Sequence, residues 1–403
     1  MPLDTGTTGF MLVSTALVML MTPALAFFYG GLVNRKNLLT IMMQSYVSMG
    51  ITTILWVTVG YSLCFSGGAG GIIGNLDNAF LKGIGIGDLY GGTEGTFPLL
   101  LFVVYQMMFA VITPALITGA FAGRITFKAY LIFLVGWQLF VYFPFVHMIW
   151  GGGIMAEWGV LDFAGGIVVH VLAGMAALAS VLYVGSRTTE EDVPHNVPFV
   201  ALGAALLWFG WFGFNAGSAL GVTEVTVVAF VNTQIAAAFA ATAWLLLAWY
   251  NDEKPSFVEM LIGMIAGLAT ITPAAGFVTP QSAMIIGLAA GIVCYYAVVL
   301  RKHKKLDDAL DVWGVHGVGG ALGIILLGVL AYDGIGGQNG LYHGNTDFFL
   351  VQLLGLAVAC VWAFIFTYGM LYAIDQITPV RVTNEDEETG LDEVLHGEAA
   401  YTD

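Results

Sequence analysis

Charge is scarce in this chain. Of its 403 residues only 10% are Asp, Glu, Lys or Arg, with 12 basic against 27 acidic side chains. That composition excludes an ordinary soluble domain, and no nucleic-acid partner is expected. Cysteine is rarer still: Cys64, Cys294 and Cys360 all fall inside apolar stretches and support neither a disulfide framework nor a zinc site. No Walker-type phosphate loop, HExxH or nucleophile elbow is present, so an ATP-driven scheme lacks its parts and no enzyme is expected. No metal and no cofactor are expected either. The N-terminus, MPLDTGTT, lacks the positive n-region of a signal peptide, and no cleavage is predicted.

What fills the chain instead is apolar length: 58% hydrophobic residues and 53 glycines. Stretches long enough to cross a bilayer as helices recur almost from end to end. The pattern predicts an all-α polytopic membrane protein with eleven transmembrane helices. They lie at roughly 8–33, 38–65, 97–122, 129–148, 163–186, 198–219, 226–250, 257–276, 281–300, 312–332 and 347–377. With the N-terminus outside, every lysine and arginine but Lys82 falls in an inward loop or in the tail, a strong positive-inside signal. That orientation puts the C-terminus in the cytoplasm. The outward loops then hold Asp4, Asp77, Asp88, Glu94, Glu157, Glu224, Asp333 and Asp347. Such an entrance concentrates cations; the blander reading is that these acids only keep the loops solvated. The membrane domain is expected over 1–378. The cytoplasmic tail, 379–403, carries eight acids after residue 384 and little apolar surface.

The chain repeats itself. Asp162 to Gly174 (DFAGGIVVHVLAG) and Asp308 to Gly320 (DALDVWGVHGVGG) share one frame: Asp, seven residues, His, three residues, Gly. Ile112-Thr113-Pro114-Ala115 of the third span returns as Ile271-Thr272-Pro273-Ala274 of the eighth. Third matches eighth and fifth matches tenth, so the repeat is five helices, about 8–186 and 198–332, with the last helix outside it. An odd number of spans per repeat inverts the second half, a transporter plan that places its site near the midplane. Pro114 and Pro273 each remove a backbone donor and free a carbonyl that must find another partner. A polar pore lining and a simple packing kink are both open readings of those two prolines. Gly263 with Gly267, and Gly287 with Gly291, sit four apart and allow close helix packing.

His170 and His316 occupy matching places in the two halves. Ionisable groups at membrane depth are costly and default to functional candidates. Three readings stand: haem ligation between helices, a structurally satisfied pair, or a lining of the conduction path. A neutral imidazole pair offers donor and acceptor without fixed charge and can take or pass a proton. A second constellation is aromatic: Tyr105, Gln106 and Phe109; Trp150; and Trp211, Phe214, Asn215 and Ser218. An aromatic face attracts a cation without binding it tightly, although an interfacial aromatic belt explains most such residues.

FVVYQMMFAVITPALITGA, HMIWGGG, the LDFAGG…VVH run, GWFGFNAGS, FVNTQIAAA, ITPAAG and DVWGVHGVGG together resemble the ammonium transporter (Amt) family, part of the wider group that includes methylammonium permeases and Rhesus proteins. RVTNEDEETGLDEVLHGEAAY resembles that family's cytoplasmic C-terminal signature. The resemblance runs nearly end to end and implies a role for each matching residue. Trp150 and Ser218 match the external ammonium recruitment site, with Tyr105 completing its aromatic wall where many members have Phe. Phe109 and Phe214 match the stacked pair closing the pore, and His170 and His316 the twin histidines below it. Asp162 matches an acid that stabilises the recruitment region. Trp211, Asn215, Tyr142, Gln106 and Thr272 match supporting pore and vestibule positions. The resemblance also implies a homotrimer in the cell membrane, a PII-type signal protein at the cytoplasmic face, and ammonium and methylammonium as substrates.

A bare ion crossing hydrocarbon costs several kcal/mol or more, whereas ammonia is neutral. Cation–π recruitment supplies about 1–2 kcal/mol, too little to offset full dehydration. The expectation is capture of ammonium outside, loss of a proton near the phenylalanines or histidines, and passage as ammonia, with the family favouring coupled proton passage. Potassium can neither donate a hydrogen bond nor lose a proton, so it is rejected on chemistry rather than size. A Rhesus-type gas channel and an ammonium sensor are the alternatives. The WGGG run at Trp150 fits the ammonium branch, and a dedicated sensor often adds a signalling domain to the same fold.

Overall fold

The computed structural model describes residues 3–68, 70–92, 96–188, 193–252 and 254–401. Glu94, one of the acids expected at the entrance, lies outside the described residues. Among them the architecture is helical, with only isolated bridges such as Ile125 to Arg381. Among the described residues ten helices are long and apolar enough to cross a membrane: α1 (Thr5–Leu32), α2 (Arg35–Phe65), α3 (Leu99–Ala120), α4 (Phe127–Glu157), α5 (Gly166–Val184), α6 (Val197–Ala219), α7 (Glu224–Asn251), α9 (Pro280–His303), α10 (Trp313–Leu330) and α11 (Thr346–Asp375). Between α7 and α9 lies α8 (Phe257–Ile271), apolar but only 15 residues long.

Polar residues placed just before the apolar runs start these helices. The side chains of Asp4, Thr126, Asn196, Ser256, Thr279 and Asn345 each accept a hydrogen bond from a backbone N–H in the first turn. That satisfies a donor the helix itself cannot.

The two prolines behave differently. Helix α3 stays helical through Pro114, because neighbouring side chains supply donors to its loosened turn: Gln138 Nε2 to the Ala110 carbonyl (2.5 Å) and Ser48 Oγ to that of Val111 (2.6 Å). Helix α8, expected to run to residue 276, ends at Ile271, and Ala274 N closes a turn onto the Ile271 carbonyl at 2.9 Å. Identical words in the two repeats thus end in different local structures.

Helices α5 and α10 cross at glycine. A Cβ on Gly174 would lie 2.1 Å from the Gly317 Cα, and one on Gly320 would lie 2.9 Å from the His170 Cβ. Each glycine of the repeated frame therefore packs against the other frame's histidine turn, where no side chain fits. The Gly263/Gly267 and Gly287/Gly291 pairs do a similar job, pressing α8 and α9 against Ala236 and Ala240 of α7.

The connections gather at two ends. At one end Arg124, after α3, donates to the carbonyls of Gly185, after α5, and of Asp307, between α9 and α10 (2.6 and 2.7 Å). The chain beyond α11 lies on this same end. Its Asp392 carboxylate accepts from the N–H groups of Leu39 and Thr40 (2.9 and 2.7 Å) and from the Thr40 hydroxyl (2.8 Å). In return Leu391 N donates to Asn37 Oδ1 at 2.9 Å. A residue more than 350 positions away thus caps the α-helical part of α2 that begins at Leu38, where Asn37 makes no cap bond of its own.

Candidate conduction pathway

At the opposite end, the loops after α4, α6 and α8 enclose an open cavity of about 380 Å³. Trp150, Asp162, Phe163, Ser218 and Phe277 help to line it. Trp150 is fixed by a bond from its indole Nε1 to the Asp162 carbonyl oxygen, 2.8 Å. Ser218 donates to the Phe214 carbonyl at 2.8 Å and stands 3.2 Å from the Tyr105 hydroxyl. An indole face and a hydroxyl therefore meet in one water-accessible mouth.

Asp162 lines the cavity yet spends its carboxylate elsewhere. Oδ1 accepts from Gly165 N and Gly166 N (3.0 and 2.6 Å), and Oδ2 from Ile167 N and Val168 N (2.8 and 3.0 Å). Three of these donors belong to the first turn of α5, and Gly165 immediately precedes it. The charge sits at the positive end of the helix that carries His170, and its four acceptor bonds leave little for a ligand.

Below the mouth the Phe109 and Phe214 rings approach to 4.4 Å between centroids, inclined by 39°. Both are buried, and Trp150 meets Phe109 edge-on at 5.8 Å. Beyond them lies a small cavity of about 10 Å³, room for about one water-sized molecule. Its walls are almost wholly apolar, with Met21, Leu25, Ile112, Leu116, Leu207 and Ile265 around the two imidazoles.

His170 and His316 face each other with Nδ1 atoms 3.2 Å apart and rings 5.2 Å between centroids, inclined by 17°. Two neutral imidazoles can share that contact only if one carries its proton on Nδ1 and the other on Nε2. The pair then presents one Nε2 that accepts and one that donates. Trp211 and Phe214 stack on His170 at 5.5 and 6.0 Å. Both histidines lie in wide π-helical turns, Gly166–Val171 and Trp313–Gly317, a distortion found often at functional sites. Haem ligation finds no room: the nitrogens face one another directly and the adjoining space admits no macrocycle. Among the described residues no cluster of His, Cys, Asp or Glu has the makings of a metal site.

The chain matches a family model described as the ammonium transporter family over residues 9–401. The chain is 44% identical over 400 residues to ammonium transporter Amt1 of Archaeoglobus fulgidus, covering 98% of this chain and 99% of that one. It is 45% identical over 402 residues to the ammonium transporter of Bacillus subtilis, covering 99% of each. This chain belongs to the ammonium transporter family. Among solved structures it resembles Mep2 of Saccharomyces cerevisiae, with a TM-score of 0.88 at 32% identity over 95% of this chain and 88% of that one. It also resembles a protein described as a sensor Amt protein, with a TM-score of 0.89 at 29% identity over 97% and 98%.

The remaining expected residues of this family member divide. Trp211 donates to Thr272 Oγ1 (2.9 Å), and Asn215 donates to Thr233 Oγ1 (2.9 Å), so both tie the α6 wall to neighbouring helices. Tyr105 is fully buried and lines neither cavity. It reaches Ser218 through its hydroxyl, which also bonds the Gly213 and Phe214 carbonyls (2.9 and 3.1 Å), while its ring lies edge-on to Phe109 at 5.1 Å. Gln106 and Tyr142 are buried and line neither cavity.

Asp308 opens the second repeated frame as Asp162 opens the first. Its buried Oδ2 accepts from Trp313 N at 2.7 Å, at the start of the helix that carries His316. It therefore mirrors Asp162, and the signal was in the repeated frame all along. Next to it, Asp307 takes a two-pronged grip from Arg187 (2.7 to 3.1 Å) and lies 3.4 Å from Arg124. Burial alone would raise the Asp307 carboxyl; the Arg187 hydrogen bonds and the charges of Arg124 and Arg187 hold it below its ordinary value.

Proposed function

We propose that this chain is an ammonium transporter that recruits ammonium at Trp150 and Ser218, strips its proton and passes ammonia, with a coupled proton, through the twin-histidine pore. The order of the parts carries the reading: an indole and a hydroxyl in the mouth, two phenyl rings in contact, then two imidazoles in an apolar chamber. A permanent cation would have to leave water for that chamber, where the described walls offer it no carboxylate. Ammonia asks only for a donor and an acceptor, which the imidazole pair supplies.

In this reading eleven helices cross the cell membrane, α8 included, with the mouth outside and the tail in the cytoplasm. Support comes from the gathering of Lys36, Arg124, Arg187 and Arg381 at the tail's end of the bundle, as a positive-inside end requires. Exposed apolar side chains such as Val13, Phe209, Leu246, Ile285 and Ile365 suit lipid or neighbouring subunits of a homotrimer. A PII-type signal protein would meet the cytoplasmic end, and methylammonium would follow ammonium through the same mouth.

The test is reconstitution in liposomes with an ammonium gradient. The reading expects ammonium-dependent uptake accompanied by charge. A sensor would give neither uptake nor charge, and a gas channel would move ammonia with no current.

A further inference from the structure

The turn of α3 that carries Phe109 is held from outside its own helix. Pro114 has no N–H, so the Ala110 carbonyl, its helical partner four residues back, has no donor there. That carbonyl is one residue beyond Phe109. Gln138 Nε2, from α4, reaches it at 2.5 Å and also donates to Thr52 Oγ1 of α2 at 3.3 Å. Gln138 is wholly buried and opens the π-helical turn Gln138–Tyr142. The neighbouring carbonyls are covered too, Phe109 by the Thr113 hydroxyl (2.6 Å) and Val111 by the Ser48 hydroxyl (2.6 Å). Gln138 lines neither the mouth nor the histidine chamber, so it cannot touch a passing solute at either place.

We propose that Gln138 is a positioning residue for the Phe109 gate. Its amide replaces the donor that Pro114 withholds from the Ala110 carbonyl, and so fixes the turn from which the Phe109 ring meets Phe214. The inference rests on the reading of Phe109 and Phe214 as a gate. An unpaired carbonyl at this depth costs enough to move a helix turn, and the ring contact at 4.4 Å has little slack. The arrangement also makes a genetic prediction that bulk packing does not. If the amide's task is to serve the orphaned carbonyl, restoring the backbone donor must make the amide dispensable.

The test compares wild type, Gln138→Met, Pro114→Ala and the double variant in proteoliposomes, after each is shown monodisperse by size exclusion. Met keeps the volume and removes the donor; Gln138→Leu serves if Met fails to fold. The expected result is a fall of roughly ten-fold in the ratio of ammonium to potassium flux for Gln138→Met. The double variant should return to within about two-fold of Pro114→Ala. An unchanged ratio in Gln138→Met, or a double variant as impaired as the single one, overturns the proposal. Phe109→Ala in the same series separates the two claims: unaltered flux and selectivity there removes the gate itself, whatever Gln138 does.

Discussion

His170 and His316 stand 146 residues apart in sequence, and their Nδ1 atoms are 3.2 Å apart in the folded chain. That spacing leaves no room for a third heavy atom between them. The pair acts as one unit with a single shared proton, and each partner fixes the other's tautomer.

Removing either imidazole should therefore cost about as much as removing both. His170→Ala, His316→Ala and the double variant are each expected to fold while transport stops or loses its coupling. Proteoliposome currents read this directly. Unaltered, selective ammonium current in the double variant would remove the pair from the pathway.

Trp150 should act on apparent affinity rather than on passage. A cation–π contact of about 1–2 kcal/mol corresponds to a rise of roughly 5- to 30-fold in the half-saturating ammonium concentration for Trp150→Leu. The maximal rate should change less. A concentration dependence identical to wild type counts against recruitment at the indole.

Asp162 and Asp308 should prove to be a matched pair. Each buries a carboxylate against the first-turn donors of a histidine helix. Replacing either by Ala removes acceptors from buried N–H groups, a cost of about 1–3 kcal/mol. Both variants are expected to lower the melting temperature. Asp308→Ala melting like wild type, with only Asp162→Ala impaired, would break the symmetry argument.

The pairing of the two histidine turns was legible in the sequence. The Asp-x7-His-x3-Gly frame placed both histidines, and the structure explains each letter: the Asp caps the helix, the His faces its twin, and the Gly admits the other helix. Most helix boundaries followed from apolar length, but α4 runs on to Glu157 rather than ending near 148, and at α8 the chain turns at Ile271 although the same four residues in α3 stay helical. That difference depends on which side chains from other helices reach a carbonyl, as Gln138 does, and no local pattern encodes it. The orientation of Tyr105 depends on packing in the same way. Its ring lies edge-on to Phe109 and its hydroxyl reaches Ser218, an arrangement set by neighbouring helices rather than by residue type.

The docked tail gives a fourth prediction. Asp392→Ala should leave the Leu39 and Thr40 donors uncapped, a loss of about 0.5–2 kcal/mol. Limited proteolysis after residue 376 should become faster. Equal cleavage rates in the variant and the wild type would mean the cap does not hold the tail.

Acid should loosen the same end through Asp307. Its carboxyl lies below its ordinary value in the folded chain, so its stabilisation is complete above the unfolded value of about 3.9 and is lost as pH falls through the lower folded value. Asp307→Asn should melt lower than wild type at neutral pH and converge with it on acidification. Parallel melting curves across that range would assign the effect elsewhere.

The central claim is that the solute gives up its charge before the histidine chamber, and potassium tests it most directly. Ammonium and potassium applied in turn to the same proteoliposomes, with current and uptake recorded together, compare a cation that can lose a proton with one that cannot. The account predicts a saturable ammonium signal and, at every concentration, a potassium signal far below it. A potassium current comparable to that of ammonium would show that intact ions cross the chamber, and would contradict it.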